Sequence, residues 1–229
     1  AAFFLLRLMV PFKSSDLPEG IVGIVILPLL SMLQKAAPNI GEESFPAPFK
    51  NVSSVVFGLI TLSNWCSEDR LAEFQANLEG RLEEGLVDMS MTFMHYDKPE
   101  VRQIATALCH NLTLRRTSSS SGWINDPAAL ATQILCGALD DVSDEQDDLV
   151  RKRRLSVVLT IVRSSQPSSP GTSDGNTAAQ MILDLGFDAV VEQTGRAAAA
   201  QSRTGGGGED PSSEATICRE LLSYLRPTV

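Results

Sequence analysis

Apolar residues recur at spacings of three and four along most of the chain, and this periodicity constrains the fold more than any other feature of the sequence. Spacings of three and four place side chains on one face of a helix, where they can pack against a neighbour. The series in segment 67–94 consists of Leu71, Phe74, Leu78, Leu82 and Leu86. The series in segment 98–114 consists of Val101, Ile104, Ala105, Leu108 and Leu112. No segment shows the period of two that is typical of a strand, so the sequence predicts an all-α fold.

Two of the predicted helices have recognisable starts. Pro99 and Glu100 open the second series, with proline in the first turn and an acid near the positive end of the helix dipole. Asp126 is suited to cap the next helix and Pro127 to occupy its first position. These signals predict helices that begin near residues 99 and 127.

The length and the breaks between apolar segments bear on domain organisation. A chain of 229 residues with 43% apolar residues can form one large domain or two small ones. We interpret residues 1–229 as a single domain. Segments rich in proline, glycine and serine predict flexible loops at 36–50, 163–176 and 195–214.

An internal repeat refines the predicted architecture. The segments 57–66 (FGLITLSNWC) and 104–113 (IATALCHNLT) superpose with a shift of 47 residues, and Asn64 falls on Asn111. Periods of roughly 40 to 47 residues are typical of armadillo and HEAT repeats, whose stacked helices share one core. The sequence therefore predicts an armadillo/HEAT-like helical-repeat solenoid with Asn64 and Asn111 as structural repeat residues. The alternative is that each asparagine is a plain C-terminal helix cap.

Charge, hydropathy and cysteine usage exclude several classes of function. The net charge is −9 and the isoelectric point is about 4.7, which opposes general binding to nucleic acid. The apolar segment 21–33 is too short for a membrane span, which needs roughly 20 residues, and it contains Pro28. The cysteines show no C-x-x-C pair, so we expect buried free thiols in a reducing compartment, the cytoplasm or the nucleus.

The sequence favours a protein that is not an enzyme and needs no cofactor. It contains two histidines, His95 and His110, and none of the common nucleophile, zinc or phosphate-loop motifs. The acidic run 140–148 lacks the glycine at position six and the glutamate at position twelve of an EF-hand, so we expect no metal there. A catalytic thiol is the alternative, but Cys109 and His110 are sequence neighbours that point about 100° apart on a helix.

The acidic run is followed at once by the bases of the segment 151–154 (RKRR). We interpret the acids as a helix start, with i,i+4 pairs joining Asp147 to Arg151 and Asp148 to Lys152. Arg154 is three or four positions from valines on both sides, so it lies at the edge of the apolar stripe. We expect its stem to pack and its charged head to emerge into solvent.

Five segments in order resemble the PUL domain, the armadillo-like module of the phospholipase-activating protein family. They are 3–10 (FFLLRLMV), 55–65 (VVFGLITLSNW), 101–114 (VRQIATALCHNLTL), 144–162 (DEQDDLVRKRRLSVVLTIV) and 183–193 (LDLGFDAVVEQ). Two departures from the family pattern stand out. Leu59 occupies the position of a usual arginine, and the stretch Val158–Thr160 lacks a usual glycine.

The resemblance implies an interaction module of the ubiquitin and SUMO pathways. PUL domains bind the acidic C-terminal tail of the AAA ATPase valosin-containing protein through a basic concave groove. By motif position the resemblance assigns peptide binding to Arg7 and Arg154, and the further basic candidates are Arg102, Arg151 and Lys152. The alternative is a diverged helical-repeat scaffold that binds another protein, with deSUMOylase or thioredoxin-type catalysis in other domains. The oligomeric state stays open.

Overall fold

A computed structural model describes residues 29, 33, 56–61, 81–117, 127–165, 177–204 and 213–226. Over this part of the chain the structure is helical and has no strand, which confirms the all-α prediction. The helices with defined bounds are α1 (Arg81–Met94), α2 (Pro99–Thr117), α3 (Pro127–Leu139), α4 (Asp148–Ser164), α5 (Thr177–Asp184), α6 (Phe187–Thr204) and α7 (Glu214–Leu225). None of the described helices combines the length and apolar character that crossing a membrane requires.

The chain divides into two compact units, residues 1–134 and 135–229, with the boundary inside α3. In the first unit α1 packs against α2. Four of the five apolar positions predicted for α2 form its core face, since Val101, Ala105, Leu108 and Leu112 are fully buried. The fifth, Ile104, is half-buried. The buried face of α1 includes Val87, Met89 and Phe93. The periodicity of the sequence therefore predicted the packing surface of α2.

Other local predictions for the first unit can be compared with the structure. The predicted starts at Pro99 and Pro127 are both confirmed. Leu29 and Leu33 are helical and buried, in agreement with a buried helix in the apolar segment 21–33. Asn111 lies inside α2, six positions before its last residue Thr117, so it is not a C-terminal cap.

The second unit is built around α7, which contacts α4, α5 and α6. Its buried side chains are Ile217, Cys218, Leu221 and Leu225. The helix begins after Ser213, whose side chain accepts a hydrogen bond from the backbone N–H of Thr216 at 3.3 Å, as an N-cap does.

Glycine is required where α6 meets α7. A Cβ atom built at Gly195 would lie 2.8 Å from the Cβ of Cys218, closer than two carbon atoms can approach without a shift. The absence of a side chain at Gly195 thus sets how closely the two helices pack.

The loop predicted at 195–214 is wrong over its first ten residues. Helix α6 continues through Gly195 to Thr204, and α7 already begins at Glu214. The stretch Ala197–Ala200 explains the error, because alanine has the highest helix propensity and outweighs the single glycine. The predicted loop at 163–176 starts two residues too early, since α4 ends at Ser164. The predicted loop at 36–50 lies outside the described residues.

Candidate functional site

The segment Asp140–Asp147, here called the acidic loop, connects α3 to α4 and follows an ordered path. The backbone N–H of Val142 donates to the carbonyl of Leu139 at 3.3 Å, and that of Asp144 donates to the carbonyl of Asp141 at 3.1 Å. Val142 is fully buried and anchors the loop. Asp141 adopts φ 50°, a left-handed conformation that aspartate tolerates better than most residues. The acidic run is thus a folded turn.

The end of the acidic loop starts helix α4. The Asp147 carboxylate accepts a hydrogen bond from the backbone N–H of Val150 at 2.9 Å, which makes Asp147 the N-cap. The Glu145 carboxylate accepts one from the backbone N–H of Asp147 at 3.0 Å. Asp148 lies in the first turn, where the helix dipole favours an acid. The interpretation of these acids as a helix start is confirmed.

Arg154 is a buried residue that holds the acidic loop against α4. Only 2% of its surface is exposed. One terminal nitrogen donates to the carbonyl oxygen of Asp140 at 2.8 Å, and the other lies 3.9 Å from a carboxylate oxygen of Glu145, which is also buried. The expectation that the charged head would emerge into solvent is therefore wrong. Its neighbours Val150 and Val158 are fully buried, so this face of α4 belongs to the core, and the acidic loop covers the guanidinium.

Arg151 joins three parts of the second unit. Its Nε lies 2.5 Å from a carboxylate oxygen of Glu214 on α7, and its Nη2 lies 2.6 Å from the carboxylate of Asp148. Its Nη1 donates to the carbonyl oxygen of Glu145 at 2.6 Å. The hydrogen bond with Glu214 raises the pKa of the Arg151 guanidinium above its usual value. The carboxylates that Arg151 contacts are those of Glu214 and Asp148, whereas the predicted partner Asp147 caps the helix.

Two further arginines pair with carboxylates at the surface of the second unit. Arg163, near the end of α4, donates from Nε to a carboxylate oxygen of Glu220 at 2.8 Å. Arg226, which follows α7, lies 2.6 Å from a carboxylate oxygen of Asp188 and 3.1 Å from one of Glu192, both on α6. The hydrogen bond from Arg226 lowers the pKa of Asp188.

The other predicted site residues are distributed over the chain. Arg7 and Asn64 lie outside the described residues. Arg102 belongs to the first unit, where its Nη1 donates to the carbonyl oxygens of Tyr96 at 2.8 Å and Asp97 at 3.0 Å. Lys152 is half-buried on α4 of the second unit, next to Arg151.

The sequence did not indicate a role for Glu214 and Glu220, which supply carboxylates to the arginines of α4. Both fell within or after the segment that we predicted as a loop. One signal was present. Ser213 precedes Ile217, Leu221 and Leu225, which is a capping residue followed by apolar positions at a spacing of four.

Two of the three described cysteines are buried free thiols, as predicted, and the third, Cys136, is half-buried. Burial raises the pKa of Cys218 to about 12, so the thiol stays protonated at neutral pH. The Cys109 thiol lies 3.2 Å from the sulfur of Met94 in the core of the first unit. Burial also lowers the pKa of His110. Cys66 lies outside the described residues.

Comparison of the chain with protein-family models, with curated proteins and with solved structures gave no match.

Proposed function

We propose that the chain is a protein-interaction module of the PUL type, an armadillo-like solenoid that binds the acidic C-terminal tail of valosin-containing protein. The proposal rests on the order of the five segments that resemble the family, on the helical fold and on the basic segment of α4. In this proposal the module acts in the cytoplasm or nucleus and links the ATPase to proteins of the ubiquitin and SUMO pathways.

The carboxylate contacts of α4 are the observation that best supports binding of an acidic peptide. Arg151 already binds the carboxylates of Glu214 and Asp148, and Arg163 binds that of Glu220. Guanidinium groups pair with carboxylates in a planar geometry and keep their charge at any physiological pH. In this proposal an acidic tail is recognised through the same carboxylate–guanidinium chemistry.

The individual arginines take different roles in this proposal. Arg154 is a positioning residue, because its guanidinium is buried beneath the acidic loop. Arg151 and Lys152 are the proposed contact residues, since both are only half-buried. The net charge of −9 opposes an acidic ligand at long range, so binding should depend on close contact and weaken as salt is added.

The test is a titration of the protein with a fluorescein-labelled tail peptide, followed by anisotropy. We expect saturable binding that Lys152→Glu weakens roughly tenfold, which corresponds to about 1.4 kcal/mol. Arg196→Glu is the matched control, because it makes the same charge change on an exposed position of α6 in the same unit. Absence of saturable binding, or equal effects of the two substitutions, would contradict the proposal.

The second candidate is a diverged scaffold that keeps the helical fold and binds another protein. One observation favours it: Arg102, Arg151 and Arg154 all donate to acceptors within the chain. A peptide in which every acidic residue is replaced by its amide distinguishes the two candidates. Equal affinity for the acidic and the amide peptide would favour the scaffold, whereas loss of binding with the amide peptide favours carboxylate recognition.

A further inference from the structure

Helix α7 contributes two carboxylates that contact arginines of α4, the helix that is proposed to bind an acidic peptide. Glu214 Oε1 lies 2.5 Å from Arg151 Nε, and Glu220 Oε1 accepts from Arg163 Nε at 2.8 Å. The first pair joins the starts of α4 and α7, and the second joins the end of α4 to the middle of α7. Acids of α7 therefore pair with arginines near both ends of α4.

We propose that Glu214 and Glu220 are built-in competitors for the acidic ligand. This inference rests on the proposed function and adds a mode of regulation to it. An incoming peptide exchanges its own carboxylates for those of Glu214 and Glu220 at Arg151 and Arg163. The displaced glutamate side chains turn into water, so the number of charge pairs at α4 does not change.

The exchange does not require α7 to leave the unit. The helix is anchored separately by four buried side chains, Ile217, Cys218, Leu221 and Leu225. Arg226, just after its end, is held by Asp188 and Glu192 on α6. The two glutamates are thus side chains on a helix whose position depends on other contacts.

The two pairs differ in accessibility, which predicts an order for the exchange. The side chains of Arg163 and Glu220 are 53% and 32% exposed, whereas those of Arg151 and Glu214 are 13% and 12% exposed. We expect the ligand to displace Glu220 first and Glu214 second, because the outer pair is already solvated.

The spacing of the two arginines indicates the class of ligand. Twelve positions separate Arg151 from Arg163, which is roughly 18 Å along a helix. An extended peptide covers that distance in about five or six residues. The arrangement fits an acidic peptide with carboxylates about that far apart, rather than one with a single charge.

The test compares two double variants that remove the same two charges from the same unit. Glu214→Gln with Glu220→Gln removes the proposed competitors, and Asp188→Asn with Glu192→Gln removes the carboxylates that hold Arg226. Both are titrated with the fluorescein-labelled tail peptide beside the unaltered chain. We expect the first variant to bind roughly fivefold more tightly than the unaltered chain and the second to stay within about twofold.

The outcomes separate this inference from the proposed function. If the unaltered chain binds and the two double variants match each other, the competitor role is overturned and peptide binding stands. If neither the unaltered chain nor the Glu214/Glu220 variant binds, both proposals fall. Binding by the Glu214/Glu220 variant that is tighter than binding by both the unaltered chain and the Asp188/Glu192 variant supports the competitor role.

A single substitution keeps the competitor role testable if the double variant does not fold. Glu220→Gln alone alters the more exposed pair, so we expect it to fold like the unaltered chain, as checked by circular dichroism. It should raise the affinity by about twofold. An unchanged affinity in the folded Glu220→Gln variant would count against the proposed order of exchange and against the competitor role.

Discussion

The arginines of the second unit fall into two groups that use the same chemistry at different depths. At the start of α4, Arg151 and Arg154 are covered by the acidic loop and by α7, and they bind backbone carbonyls as well as carboxylates. At the outer surface, Arg163 pairs with a carboxylate of α7, and Arg226 pairs with two carboxylates of α6. Depth, rather than the number of ion pairs, therefore determines how readily each arginine can exchange its partner.

The most damaging change within this comparison is Arg154→Ala. It removes the guanidinium that contacts the buried carboxylate of Glu145 and the carbonyl of Asp140. Removing one partner from a buried charge pair costs about 3 kcal/mol of unfolding free energy or more. Urea denaturation measures the loss, with Arg153→Ala on the half-buried neighbouring position as the control. A loss below about 1 kcal/mol would show that the acidic loop does not depend on Arg154.

A smaller loss is expected for Arg151→Ala, because Arg151 is half-buried and water can replace part of its contacts. We expect about 1.5 kcal/mol, in keeping with hydrogen bonds to charged groups. A double-mutant cycle with Glu214→Gln isolates the link between α4 and α7, and a coupling of at least about 0.5 kcal/mol is expected. Additive effects of the two substitutions would mean that the pair does not join the helices.

Arg163→Ala should have little effect on stability, since both side chains of its pair with Glu220 are substantially exposed. Exposed pairs contribute below about 1 kcal/mol and are screened by salt. The unfolding free energy of this variant and of the unaltered chain should converge between 0.1 M and 1 M salt. A loss of unfolding free energy as large as that of Arg154→Ala would contradict the distinction between the buried and the exposed arginines.

The mildest effect is a change in titration at Asp188. In the folded chain Arg226 lowers the pKa of Asp188 below its ordinary value of 3.8. The folded state therefore binds the proton less readily than the unfolded chain. The stabilisation by this ion pair is complete above pH 3.8. It is lost as the pH falls through the lower pKa that Asp188 has in the folded chain. Arg226→Ala should raise the pKa of Asp188 toward 3.8, as measured by a carboxyl-detected NMR titration. An unmoved pKa would show that the contact is not maintained in solution.

The sequence predicted those parts of the fold that depend on local patterns. The stripe of α2, the starts at Pro99 and Pro127 and the acids at the start of α4 were all recognisable. Each depends on residues within a few positions of one another, whose helical geometry is fixed. The segment 195–204 was wrongly predicted as a loop because its glycine favours a helix end, whereas its alanines favour a continuing helix.

The partners of the charged side chains could not be predicted in the same way. Arg151 contacts Glu214, which is 63 positions away in the chain. Arg154 was placed correctly on the packed edge of α4, but its exposure depended on the acidic loop that folds over it. Periodicity assigns a residue to a helix face, whereas the tertiary structure decides what covers that face. The resemblance to PUL domains implied peptide binding by Arg154, but a motif position carries no information on how deeply the side chain is buried.

The close contact between Gly195 and Cys218 has a practical consequence for measuring motion. The Cys218 thiol is buried and its pKa is raised to about 12, so we expect it to react with an alkylating reagent mainly when α6 and α7 separate. The rate at which iodoacetamide labels Cys218, followed by peptide mass spectrometry, therefore counts how often this helix pair opens. Cys218 is therefore a native probe of the opening of this helix pair, and the measurement needs no added dye or spin label.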